Sequence, residues 1–243
     1  MMARSIGTAL AAALGARNAP FSIILAGHNG AGKSTLWHEH LADHVQVPLV
    51  NADRVMLALL PEPDPAQGLR RWARELRDTN ASWMQVARRA VMALVAEAAG
   101  TEVSFAMETV FSHWAPQPDG TVRSKVDLIR KLQRSGYFVL LIFVGMANQG
   151  LSIVRVRNRV MQGGHAVALD KLVHRFQRTQ QAVREALDVA DASVLFDNSL
   201  SRASAFTPVH VRRRGTVLFD VRQSSNTVPE TITAWLDIVA PRR

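Results

Sequence analysis

Phe21-Ser22-Ile23-Ile24-Leu25-Ala26-Gly27-His28-Asn29-Gly30-Ala31-Gly32-Lys33-Ser34-Thr35-Leu36-Trp37 joins an apolar run, a glycine-rich turn and a helical opening. The run 21–26 reads as a buried strand. Gly27 to Ser34 fits G-x-x-x-x-G-K-[ST], the phosphate-binding loop. In such a loop successive backbone N–H groups point inward at phosphate oxygens, and the helix that follows adds the positive end of its dipole. Lys33 reaches the β- and γ-phosphates, and the Ser34 hydroxyl ligates Mg²⁺. Gly27, His28, Asn29, Gly30, Ala31, Gly32, Lys33, Ser34 and Thr35 are therefore the expected nucleotide-binding stretch.

Four more apolar runs follow: Val47 to Asn51, ending at Asp53; Val103 to Met107, ending at Glu108; Tyr137 to Val144; and Ser193 to Phe196, ending at Asp197-Asn198. The run 137–144 has no period-2 alternation, so both of its faces should be buried, as in a parallel sheet. Strands alternating with helical patterns predict an α/β P-loop NTPase fold: about five mainly parallel strands flanked by helices. Ligands in such folds sit at the carboxyl ends of the strands, where Asp53, Glu108 and Asp197-Asn198 fall. Residues 1–20 read as an N-terminal helical segment and 21–200 as the kinase domain. Residues 201–243 read as a C-terminal extension of one β-hairpin, turning near Arg214-Gly215, and a helix at Thr231 to Val239.

A phosphate loop alone does not separate kinases from other NTPases. Phosphoryl transfer also needs a group to orient or deprotonate the acceptor and positive charge on the moving phosphoryl group. Asp53 could take a proton from an acceptor hydroxyl. It could equally cap the helix that opens at Arg54. If strand 103–107 neighbours the first strand, Glu108 faces Mg²⁺ or substrate, and it should have a partner, because a buried lone carboxylate is costly. Arg155 and Arg159, four apart, share one helical face. Arg175 and Arg178 are neighbours on the next helix, about Leu169 to Ala190, which shows Leu172, Phe176, Val183 and Leu187 on one face. The segment at about 150–180 therefore suits a lid that closes arginines onto phosphates.

The formal net charge is +9, and residues 121–185 hold twelve Lys/Arg against three acids, so this segment carries the whole excess. That points to an anionic ligand or partner. Arg123, Lys125, Arg130, Lys131 and Arg134 also fit a solvated helical face. Nucleic acid is disfavoured: aromatic residues are 6% of the chain and no stacking platform is evident, although Arg212-Arg213-Arg214 sits at a hairpin tip. With no cysteine there is no disulfide, thiolate site or cysteine nucleophile. No apolar run reaches a membrane span. Ile6 to Leu14 is better read as a packing helix than as a signal peptide, and a cytoplasmic location is expected. Between strands two and three, Leu69 to Arg77 and Ser82 to Ala99 read as helices, the second with Trp83, Val86, Ala90, Ala93 and Leu94 at helical spacing. Trp83 suits core packing; Trp72 is open. His38, His40 and His44 share one helical region without further ligands, so a metal site there is disfavoured. His165 could meet a phosphate or close a turn.

Taken in order, the phosphate loop, Asn51-Ala52-Asp53, Ser104-Phe105-Ala106-Met107-Glu108-Thr109, Phe143-Val144-Gly145, Arg155 to Val160, Gly163-Gly164-His165-Ala166-Val167 and Asp197-Asn198-Ser199 resemble the zeta toxin family of P-loop kinases, in its chromosomal zeta-like branch. The resemblance implies transfer of the γ-phosphate of ATP or GTP, with Mg²⁺, to the 3′-hydroxyl of UDP-N-acetylglucosamine, and an antitoxin protein as partner. It implies that Lys33, Asp53, Arg159 and Arg175 are catalytic. Glu108, Thr109, Arg155 and Asp53 would hold substrate, Ser34 and Glu108 the metal, and Asn198 the nucleotide. The chain departs from the family pattern at His28 (usually proline), Val110 (threonine), Ala168 (proline) and His174 (arginine). Alternatives are a kinase for a dinucleotide or an antibiotic, a polynucleotide 5′-hydroxyl kinase, and a regulatory NTPase that acts through a partner.

Overall fold

The structure is a computed structural model that describes residues 5–16, 18–162, 167–225 and 227–242. Its centre is a seven-stranded sheet in the order β2 (Leu49–Val50), β3 (Phe105–Thr109), β1 (Phe21–Gly27), β6 (Phe138–Gly145), β7 (Ala192–Asp197), β8 (Thr207–Arg213), β9 (Thr216–Asp220). The first five strands run parallel. The hairpin β8–β9 turns at Arg214 and Gly215, both at positive φ, and β8 pairs antiparallel onto β7. The hairpin thus extends the main sheet by two strands. A second, two-stranded sheet, β4 (Trp114–Pro116) with β5 (Val122–Ser124), lies after β3 and had no sequence counterpart.

The β6 register explains its unbroken apolar run. Val139, Leu141 and Phe143 face one core, and Leu140, Ile142 and Val144 face the other. The first core is closed by α6 (Ala81–Gly100), α7 (Val126–Arg134), α9 (Leu169–Val189) and α10 (Glu230–Val239). The second is closed by α1 (Ile6–Leu14), which buries Ala9, Leu10, Ala13 and Leu14, and by the helix after the phosphate loop. That helix runs as α2 (Lys33–Leu36), a π-helical turn at Trp37–Leu41, and α3 (Ala42–Val45). The remaining helices are α4 (Ala52–Ala58), α5 (Arg71–Thr79) and α8 (Gln149–Met161).

The phase of α6 differs from the sequence expectation. Ala87, Val91 and Val95 are its buried stripe, while Val86 and Leu94 are 49% and 51% exposed. The main helical neighbour of α6 is α4. Trp72 is also exposed. On α9, by contrast, Leu172, Phe176, Val183 and Leu187 are all buried, as the spacing predicted. At the C-terminus Arg222 is buried and donates to both carboxylate oxygens of Asp220, to Asp237 of α10 and to the Ala240 carbonyl. This clamp fixes α10 to the end of the sheet. Among the described residues no helix is long and apolar enough to cross a membrane.

Candidate active site

The parallel register places the chemistry. β3 lies directly beside β1, with Leu25 opposite Glu108 and Ala26 opposite Thr109. Glu108 is therefore the penultimate residue of its strand, level with a position two residues before the phosphate loop begins. The loop needs glycine at Gly30 and Gly32, whose φ angles are 74° and 88°, because a side chain is strained in that region. Space is short as well: a Cβ on Gly32 would lie 2.8 Å from Asn198 Nδ2.

Lys33 is buried, and its ammonium donates to the loop carbonyls of Gly27 (3.1 Å) and His28 (3.0 Å). Burial lowers its pKa; Glu108 pulls it back up, Arg159 lowers it further and Asp53 raises it. All three of those charges are therefore within electrostatic reach of the loop lysine. Ser34 Oγ stands 3.1 Å from both oxygens of Glu108. Asn51 Nδ2 donates to Glu108 Oε2 at 2.7 Å, so Glu108 has the partners its burial demands.

The cap of α4 is Asn51, whose side-chain oxygen accepts from the N–H groups of Asp53 and Arg54. Asp53 is thus not the cap. It occupies the first turn, with its charge near Lys33 and Arg175. Thr109 is half-buried, and its hydroxyl accepts from the Phe111 N–H at 3.3 Å, bracing a residue held at φ 64°.

The lid arginines divide. Arg175 on α9 is half-buried; burial lowers its pKa, Arg88 adds repulsion and Asp53 opposes both. Arg159 is on α8, within reach of Lys33. Arg155 lies against the phosphate loop itself, with its Cβ by Gly30, its guanidinium on Met146 Sδ and the Asp197 charge nearby. Lys125, counted with the solvated face in the sequence, is instead half-buried at the start of α7. Burial and then Arg88 lower its pKa, and no carboxylate opposes them. Arg88 of α6, Lys125 and Arg175 together make a cationic wall beside Asp53. Sequence patterning gave neither Arg88 nor Lys125 a role at the site, and no local signal marked them.

His28 puts a buried ring into the loop. It stacks on Phe176 of α9 (centroids 3.9 Å, planes 11° apart) and meets Phe143 edge-on. Neither ring nitrogen has a hydrogen-bond partner among the described residues. Burial, with Lys33 adding repulsion, lowers its pKa to about 3, so it is neutral. Asn198, at the end of β7, donates from Nδ2 to the Ala31 carbonyl at 2.9 Å, on the far side of the loop from Glu108. His38 contacts Arg54, His40 lies edge-on to Phe206 and His44 is beside Gly7. His165 lies outside the described residues. Arg212 is tied to Leu187 and Asp188, and Arg213 covers Gly15, so two of the three hairpin arginines serve internal contacts.

Comparison with known proteins bears on the fold and the family. An uncharacterised protein of Haemophilus influenzae is 25% identical over 155 residues, 64% of this chain and 91% of its own. The structure from the PezAT chromosomal toxin–antitoxin system of Streptococcus pneumoniae is similar over 92% of this chain and 79% of its own, with TM-score 0.53 and 15% identity. The AvrRxo1-ORF1:ORF2 complex solved with ATP is similar over 93% of this chain and 65% of its own, with TM-score 0.60 and 15% identity. These two establish the fold. The sequence profile of the zeta toxin family matches residues 8–223, and the chain belongs to the zeta toxin family of P-loop kinases.

Proposed function

We propose that this chain transfers the γ-phosphate of ATP or GTP to a hydroxyl of a UDP-activated sugar, with UDP-N-acetylglucosamine as the first acceptor to test. The observation that carries the reading is the meeting of Ser34, Glu108 and Asn51 beside Lys33, with Asp53 in the first turn of the helix that Asn51 caps and a cationic wall beside it.

The paired oxygens of Ser34 and Glu108 are hard donors next to a phosphate loop, which suits Mg²⁺. When bound, Mg²⁺ would neutralise charge on the β- and γ-phosphates. The chain's own residues do the rest. Loop N–H groups from Gly27 to Thr35 and the Lys33 ammonium hold the triphosphate. Arg155 and Asn198, placed against the loop, serve the nucleotide side. Asp53 accepts the proton of the attacking hydroxyl as the phosphoryl group arrives. Arg159 and Arg175 stabilise the charge spread over that group. Glu108 and Thr109 shape the floor between nucleotide and acceptor. Arg88 and Lys125 add positive charge on the acceptor side, which supports an anionic acceptor such as a nucleotide sugar.

Toxicity through loss of cell-wall precursors, and an antitoxin that holds the enzyme inactive, belong to the same reading; the PezAT neighbour comes from a toxin–antitoxin system. Incubation with Mg-ATP and UDP-N-acetylglucosamine should yield a phosphorylated sugar nucleotide, and Asp53→Ala should abolish it. Absence of product from every UDP-sugar, with ATP binding intact, sinks this acceptor in favour of another small metabolite.

A further inference from the structure

Helix α10 lies beyond residue 223, outside the stretch matched to the family, yet it reaches the phosphate loop through a short chain of hydrogen bonds. Trp235 is buried, with its ring packed on Gly145 so closely that a Cβ there would lie 2.6 Å from it. The indole also meets Phe143 edge-on. Its Nε1–H donates to Asp197 Oδ1 at 2.9 Å. Asp197 is fully buried and also accepts from Ser199 Oγ (2.6 Å) and the Ser199 N–H (3.0 Å). The carboxylate is thereby held in one orientation, and the turn after β7 with it. The next residue, Asn198, donates to the loop carbonyl of Ala31, and its own N–H donates to the Gly145 carbonyl at 3.0 Å.

We infer that Trp235 is a positioning residue for the nucleotide site: its indole N–H fixes Asp197, and Asp197 aims Asn198 at the loop carbonyl of Ala31. The physical reason is that a loop binding phosphates through backbone N–H groups loses affinity when those groups wander. A carbonyl tied from outside turns its own peptide plane, and so the adjacent N–H, toward the phosphates. The bond from Trp235 goes to a charged acceptor, the stronger class of hydrogen bond. Arg222 secures the helix that carries it, through Asp237 and the Ala240 carbonyl.

The inference rests on the nucleotide-binding reading of the loop and not on the identity of the acceptor. The test measures Mg-ATP affinity by calorimetry, without acceptor, for the full-length wild type, Trp235→Phe, Asn198→Ala and the double variant, with a thermal melt of each. Phenylalanine keeps most of the ring and removes the donor. Trp235→Phe should weaken Mg-ATP binding about tenfold, as expected when a hydrogen bond to a charged group is lost. Asn198→Ala should weaken it similarly, and the double variant should be no weaker than Asn198→Ala, since both cut the same chain. Wild-type affinity in Trp235→Phe with a lowered melting temperature, or fully additive losses, overturns the inference. If Trp235→Phe does not fold, Asp197→Asn takes its place with the same two outcomes. A wild type that binds Mg-ATP but phosphorylates no UDP-sugar removes the proposed acceptor and leaves this test standing; one that binds no nucleotide overturns both.

Discussion

Asn51 and Glu108 are 57 residues apart in sequence and joined by a 2.7 Å hydrogen bond from the Asn51 amide to the Glu108 carboxylate. The same amide caps α4 with its oxygen. One side chain thus sets both the orientation of a proposed metal-facing carboxylate and the start of the helix that carries Asp53.

Those two tasks can be separated. Asn51→Ala removes both and should cost about 1 kcal/mol of stability for the lost cap. Asn51→Asp keeps a good cap but sets a second carboxylate against Glu108. It should melt closer to the wild type than Asn51→Ala does, yet lose roughly 10- to 100-fold in kcat/KM, as expected for a group that orients a metal-facing ligand. Full activity in Asn51→Asp would remove Glu108's orientation from the mechanism.

His28 predicts an acid-sensitive fold. Its folded pKa is lowered from 6.5 to about 3, so between those values the unfolded chain binds a proton that the folded chain refuses. Stability therefore falls as pH drops through that window, by up to about 1.4 kcal/mol per pH unit for one proton. His210, buried and lowered to about 4, acts in the same sense. His28→Phe keeps a ring for Phe176 and removes the titration. Urea midpoints at pH 7 and pH 4.5 should differ less for His28→Phe than for the wild type; equal differences would show that His28 takes up a proton in the folded state.

The Arg222 clamp predicts a large loss. Arg222→Ala leaves Asp220 buried beside His210 without its guanidinium, which should cost about 3–5 kcal/mol in chemical denaturation. Burial raises the Asp220 pKa, but hydrogen bonds and charge from Arg222 outweigh it and the net shift is downward. The pair's contribution is therefore complete above the unfolded carboxylate pKa and fades as pH falls through the lowered folded value. Asp220→Asn with Arg222→Met should recover much of the loss, because no lone buried charge remains.

What was legible in the chain followed local rules. The phosphate loop, the apolar runs and the positive-φ turn at Arg214-Gly215 each need particular residues close together in sequence, so pattern alone found them. The neighbouring of β1 and β3, on which the place of Glu108 depends, was legible only as a condition, and the register of Leu25 on Glu108 meets it. Pairing of β8 onto β7 left no local mark, because Thr207 to Arg213 would alternate in the same way in a free hairpin. The face of α6 was misjudged because Val86 and Leu94 extend its apolar stripe past the Ala87, Val91 and Val95 contact. Lys125 reads wrongly for the opposite reason: four neighbouring cations make it look like part of a solvated face, and only the fold shows that it is half-buried at the start of α7.

That misjudged lysine gives the sharpest test of the acceptor side. Arg88 repels both Lys125 and Arg175, and Asp53 offsets the charge at Arg175 alone. Burying such a cation without a partner is costly, and an anionic ligand would repay that cost. Lys125→Met keeps the length of the stem and removes the charge. It should raise the acceptor KM about tenfold at low salt, with kcat and the nucleotide KM little changed, since the interaction is made equally in ground and transition states. The difference from wild type should shrink as salt screens the charge. The melting temperature should hold or rise, because a half-buried, repelled cation has gone. An unchanged acceptor KM would place the acceptor's charge away from this wall, and a lowered kcat with constant KM would place Lys125 on the transferring phosphoryl group.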